Sequence, residues 1–150
     1  MPEDKMQIFI DCIVRYFKHT DEKAVSVGTP FLVENTSPEA LDYSGVIGIS
    51  GSYKGCVYFS APKLMIKHLM MSTGEADVSD TNIVDMVGEV ANTLSGNARL
   101  ELGKEFVISV PSVIEGAPSE ECLPQHQRSY VIPVTWKSYH SLVAICLNAA

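Results

Sequence analysis

The apolar positions of the chain fall into a few short, patterned blocks. Residues 5–18 place Met6, Phe9, Ile10, Ile13, Val14 and Phe17 at helical spacing, which predicts an amphipathic helix. Residues 24–34 (AVSVGTPFLVE) read as extended, and Pro30 marks an edge or a break because it cannot donate to a ladder. Residues 35–42 are polar, hold Pro38 and read as a loop. Two β-rich runs, 46–49 and 56–59, flank the turn-prone residues 50–55 in a hairpin pattern. Pro62 stands where a first helical residue can be proline. Leu64, Met65, Ile66, Leu69 and Met70 continue a short helix, and Gly74 is placed to end it. Ser79 and Asp80 are the candidate N-caps of a longer helix that runs to about Leu102, with Gly103 as its stop. Residues 106–110 are strand-like and end at Pro111, and residues 115–128, with Pro118 and Pro124, read as a surface loop. Residues 129–136 and 141–147 read as two final strands around a short turn. The last is apolar on both alternating faces, as a central strand covered on both sides would be. Few helices and sequential strands predict an α+β fold, a largely antiparallel β-sheet packed by helices, as a single domain over residues 1–150.

Composition narrows what such a domain can meet. The hydrophobic fraction of 46% and charged fraction of 19% are globular. The net charge of −7 argues against nucleic acid, which demands a basic face, and against electrostatic docking on an anionic membrane. No apolar run approaches the roughly 20 residues that span a bilayer. The first residues have neither the basic start nor the uninterrupted apolar stretch of a signal peptide, so the expected location is the cytoplasm. Cys12, Cys56, Cys122 and Cys146 are far apart, as are His19, His68, His126 and His140. That spacing predicts reduced cysteines and no metal site.

The helix over residues 80–103 carries the candidate chemistry. At about 100° per residue, Ile83, Val87, Val90, Ala91, Leu94 and Ala98 share one face, while Asp85, Glu89, Asn92, Gly96 and Arg99 share the opposite one. An ordinary solvated face would hold Lys and Glu in i,i+4 pairs. This one holds a carboxylate and a carboxamide three residues apart, hence neighbours. Gly88 and Gly96 lie on or near the same side, and each costs about 1 kcal/mol against alanine in a helix interior. Either something bulky approaches them, or they serve tight helix packing within the fold.

The segment DMVGEVANTLSGNA, residues 85–98, resembles the signature of the CheC/CheX/FliY chemotaxis phosphatases. That signature is an acidic or serine residue, three intervening residues, a Glu, two more residues and an Asn. The similarity is closest to CheX and runs over nearly the whole chain. The first helix, the hairpin GVIGISGSYKGCVYFS, the motif helix and the closing strands follow in CheX-like order, and only one such Glu–Asn pair occurs, as in CheX. The family pattern also carries a proline farther along. Neither Pro111 nor Pro118 stands at its spacing, so neither is given a role.

The resemblance implies dephosphorylation of a response-regulator receiver domain of the CheY type. An aspartyl phosphate is an activated acyl phosphate, so the protein need supply no nucleophile. The attacking water must be held in line with phosphorus. A carboxamide offers both a donor and an acceptor, which suits Asn92 to that task. Glu89, one turn away, is expected to form a salt bridge with the lysine of the receiver's active site. Asp85, Gly88, Gly96 and Arg99 are expected to contact the same partner. The protein is expected to need no cofactor of its own, with Mg2+ held in the receiver, and to form a homodimer like other CheX-like proteins. The alternative is a non-catalytic receiver-docking module of the flagellar-switch type; the Glu–Asn pair favours catalysis. A self-sufficient hydrolase finds no support, since GxSxG and paired Cys/His motifs are both missing.

Overall fold

The computed structural model describes residues 3–18 and 25–149. Met1, Pro2, His19 and Ala24, the first residue of the expected extended segment, lie outside the described residues. Within them the elements run α1 (Glu3–Lys18), β1 (Val25–Val27), β2 (Phe31–Glu34), β3 (Tyr43–Gly51), β4 (Tyr53–Ala61), α2 (Lys63–Ser72), α3 (Asp80–Leu102), β5 (Phe106–Ile108), β6 (Ser112–Glu115), β7 (Arg128–Trp136) and β8 (Tyr139–Ala149). All strand pairings are antiparallel, in the order β1-β7-β8-β4-β3-β5, with β2 also on β7 and β6 also on β3. The expected α+β architecture is therefore the observed one.

The sheet separates two cores by side-chain alternation. Ile47, Val57, Phe59, Ile132, Val143 and Ile145 point to the face covered by α1, α2 and α3. Their strand neighbours Val46, Cys56, Tyr58, Val131, Ala144 and Cys146 point to the other face. No described helix covers that second face; Leu123, only 1% exposed, is brought onto it by the chain between β6 and β7. Asn35 holds this segment down, its buried amide donating to the Pro124 carbonyl at 2.9 Å and accepting from the Ser129 hydroxyl at 2.6 Å. The segment read as a surface loop is thus also a lid on a core. Strand β8 lies between β7 and β4, as its two apolar faces require.

The β3–β4 ladder closes at Ile49–Gly55, so the hairpin connection falls within the expected residues 50–55, with Ser50 and Gly51 paired to β5 and Tyr53 and Lys54 paired to β8. At Gly51, φ 90, an added Cβ would sit 2.0 Å from the Glu105 carbonyl oxygen, so glycine suits this close approach beside β5. One local expectation is corrected. Pro62 is the N-cap of α2 rather than its first helical residue. Residues 112–115 are a strand, β6, which pairs with β3 beyond the end of β5. Between them the chain leaves the ladder, and Ser109 fills the gap. Its Oγ accepts from Gly48 N at 2.8 Å, and its N–H donates to the Gly48 carbonyl at 2.9 Å. Pro111, with no N–H, falls where no ladder bond is needed.

Helix α3 is the element that positions the site. Ser79 caps it by accepting from Asn82 N, and Gly103, at φ 97, ends it as expected. An exposed Lys63–Asp80 ion pair at 2.6 Å ties its start to that of α2. Its middle lies directly on β3 at Gly45, where an added Cβ would meet the Val87 carbonyl oxygen at 2.7 Å and the Ala91 Cβ at 3.0 Å. This contact fixes the height of residues 87–92 over the sheet.

Burial predicts an alkaline weakness. It raises the thiols of Cys12 and Cys56 above their ordinary 9.0 and the phenols of Tyr16 and Tyr58 above their ordinary 10.0. These groups ionise more readily in the unfolded chain than in the fold. The stability they contribute is therefore complete below about pH 9 and lost as pH rises through the raised values. The thermal midpoint should fall progressively above about pH 9. A midpoint unchanged into that range would contradict it.

Candidate active site

The predicted faces of α3 are the observed ones. Ile83, Val87, Val90, Ala91, Leu94 and Ala98 are buried against the sheet and α1. Asp85, Glu89, Asn92 and Arg99 are exposed, and Gly96 is half-exposed. With a rise of about 1.5 Å per residue, Glu89 and Asn92 stand roughly 4.5 Å apart along the axis and on adjoining rows. No described residue forms a hydrogen bond or ion pair with either side chain. Both are thus available to a molecule approaching from outside.

The residues expected to contact a partner divide. Asp85 stays on the open face one turn before Glu89. Above Gly96 there is nothing within 4 Å of an added Cβ, so its surface is bare backbone open to approach. Gly88 is a correction. It is buried, and an added Cβ would meet Val113 Cγ2 at 3.1 Å and Pro111 Cβ at 3.6 Å. The bulky groups that come close to Gly88 are the chain's own Pro111 and Val113. Arg99 has an internal task besides its exposure: its Nε donates to the Phe106 carbonyl at 3.0 Å and braces the last turn of α3 to β5.

Two features beside the site were missed in the sequence. Pro111 packs on Gly88 and so holds the 82% exposed Val110 at the flank of the polar face. Pro118 is elsewhere, lining a cavity on the far side of the sheet. On the opposite flank of α3 opens a cleft of about 450 Å³, where Tyr16, Met70 and Met86 meet the polar Asn82, Asp85 and Glu89. The helical stripe of α1 highlights Phe17, its fully buried neighbour, and gives no sign of Tyr16. A larger cavity of about 770 Å³ lies by Gly48, Lys54 and Cys122 and includes none of the α3 residues.

Among the described residues, no three His, Cys, Asp or Glu side chains are grouped to hold a metal ion. No described helix is long and apolar enough to cross a membrane.

An antiparallel sheet packed by helices is the architecture of the CheC- and CheX-like chemotaxis proteins. A CheC-like superfamily protein from Shewanella sp. PV-4 superposes with a TM-score of 0.82 at 23% identity, over 99% of this chain and 100% of that one. CheX from Desulfovibrio desulfuricans gives 0.78 at 24% identity, over 97% and 99%. CheX from Borrelia burgdorferi, in a complex with CheY, BeF3 and Mg2+, gives 0.71 at 18% identity, over 95% and 97%. No protein of curated function matches the chain. The family model described as chemotaxis phosphatase CheX matches residues 43–135, more than half of the chain, and the protein belongs to that family.

Proposed function

We propose that this protein accelerates hydrolysis of the aspartyl phosphate on a CheY-type response-regulator receiver. The observation that carries the reading is the pair Glu89 and Asn92, exposed one turn apart on a helix whose position is fixed at Gly45, with no described residue bonded to either. The CheX–CheY complex from Borrelia supports a receiver as the partner.

Asn92 holds a water in line, accepting from it with the carboxamide oxygen or donating to it with the NH₂. The water oxygen bonds to phosphorus as the bond between phosphorus and the aspartyl oxygen breaks. The products are the receiver's carboxylate and dihydrogen phosphate, which keeps the water's protons. Glu89 pairs with the receiver's active-site lysine and so sets the helix in register over the phosphoryl group. Asp85 and the open backbone at Gly96 add contacts on the same face. Mg2+ belongs to the receiver, and the reaction takes place in the cytoplasm. The decisive test is to add sub-stoichiometric protein to phosphorylated receivers from the same organism. Turnover beyond one phosphate per protein supports the reading. Failure to accelerate loss from any receiver would remove it and leave a docking module.

The same reading includes a homodimer. Phe31 and Leu32 are each more than 40% exposed on the short strand β2 beside the sheet's edge, a surface suited to pairing with a second copy. Light scattering should return a particle of twice the chain mass; a particle of 16.4 kDa at tens of micromolar would exclude it.

A further inference from the structure

We infer that Leu100 and Val110 are the apolar anchors that seat the receiver over Glu89 and Asn92. The inference rests on the phosphatase reading for the identity of the partner.

Leu100 and Val110 are each 82% exposed, ahead of Leu64 at 66% and Met71 at 60%. A single exposed apolar side chain is ordinary on a protein surface. What distinguishes these two is their place. Leu100 follows Glu89 on α3 by about three full turns, so the two leave the helix on the same side, roughly 16 Å apart along its axis. Val110 stands at the flank, on a backbone fastened from both directions. Its neighbour Pro111 packs on Gly88, where an added Cβ would meet the proline Cβ at 3.6 Å and Cγ at 3.7 Å. Its other neighbour, Ser109, accepts from Gly48 N at 2.8 Å and donates to the Val110 carbonyl at 2.9 Å. Along the axis of α3, Asn92 therefore falls between the level of Gly88, where Val110 is held, and the level of Leu100. The polar groups are too few to make the contact alone. A specific protein–protein interface buries about 800 Å² on each partner. The polar stripe from Asp85 to Gly96 is roughly 17 Å long and about one helix, or 10 Å, wide. A receiver seated on it must also cover the surface beyond its end and along its sides, and the most exposed apolar side chains stand there. Glu89 and Asn92 orient the partner through charge and hydrogen bonds, while burial of Leu100 and Val110 adds the release of water from apolar surface. Neither anchor reaches the reacting atoms, so both act on affinity and not on the chemical step.

The test titrates beryllofluoride-loaded CheY-type receivers from the same organism into the wild type, Leu100→Gln, Val110→Ser and, as a control on α2, Leu64→Gln. Leu100→Gln and Val110→Ser should each raise Kd about tenfold. Their effects should multiply in the double variant, because the two side chains do not touch. Leu64→Gln should bind like the wild type. In dephosphorylation, KM should follow Kd while kcat stays nearly unchanged. Wild-type affinity in both anchor variants would overturn the proposal, as would an equal loss in Leu64→Gln or a fall in kcat at unchanged affinity. A second measurement needs no substitution. In methyl NMR of the wild type, the Leu100 and Val110 resonances should shift when the receiver is added, and those of Leu64 should not. Unshifted Leu100 and Val110 methyls in the bound protein would also overturn the anchors. If a receiver binds but is not dephosphorylated, the phosphatase reading falls, and the affinities and shifts still decide the anchors. If no receiver binds, the anchors fall as well.

Discussion

Replacing Asn92 by alanine should lower catalysed dephosphorylation about 100-fold, or roughly 2.7 kcal/mol in the barrier, while the protein stays folded and still binds its receiver. The carboxamide is exposed, no described residue bonds it, and the helix beneath it is held by residues on the other face. Its removal should therefore change stability by no more than about 0.5 kcal/mol. The sign can even be favourable, because alanine is the better helix former. What is lost is the group that holds the water, so the effect belongs in the rate and not in the affinity. Glu89→Ala should differ in kind. It removes one member of a charge pair that forms only in the complex, so binding weakens along with rate. Single-turnover loss of phosphate, measured beside binding to a receiver carrying a stable phosphoryl mimic, separates the two. A folded Asn92→Ala protein with full turnover would eliminate the water-positioning role.

The parts of the fold that could be read from sequence are those whose information is local. Ser79, the 3.6-residue apolar stripe and Gly103 delimit α3 because capping, burial and stopping are each encoded within a few residues of the event. The two apolar faces of β8 announce a central strand for the same reason. What escaped depends on partners distant in the chain. Residues 112–115 are too few to display a period, and they are a strand only because β3 offers them an edge beyond β5. Gly88 sits at the border between the two faces of α3. Helical spacing left both a partner and internal packing open, and the arrival of Pro111 and Val113 decides for packing. Tyr16 escaped for a related reason: the cleft it shares with Glu89 exists only once α1 lies on α3.

Val90→Asp should unfold the protein or bring it close to unfolding. Val90 lies between Glu89 and Asn92 in the chain, yet it is 0% exposed and belongs to a core cluster with no charged member. A carboxylate there has no cation to meet. An uncompensated buried charge costs about 3–5 kcal/mol, and the lost valine burial adds roughly 1.5 kcal/mol or more. Against a total stability of about 5–15 kcal/mol this is a large share. The sign of the pH dependence identifies the cause. Burial raises the pKa of the new carboxyl above its value in the unfolded chain, so the charge penalty is present above the unfolded pKa of about 3.9 and shrinks as pH falls toward it. Denaturant midpoints of variant and wild type should therefore converge on acidification. A wild-type midpoint for Val90→Asp at neutral pH would mean that this face of α3 is not the one against the sheet. Glu89 and Asn92 would then not project outward together, and the site built on them would lose its geometric basis.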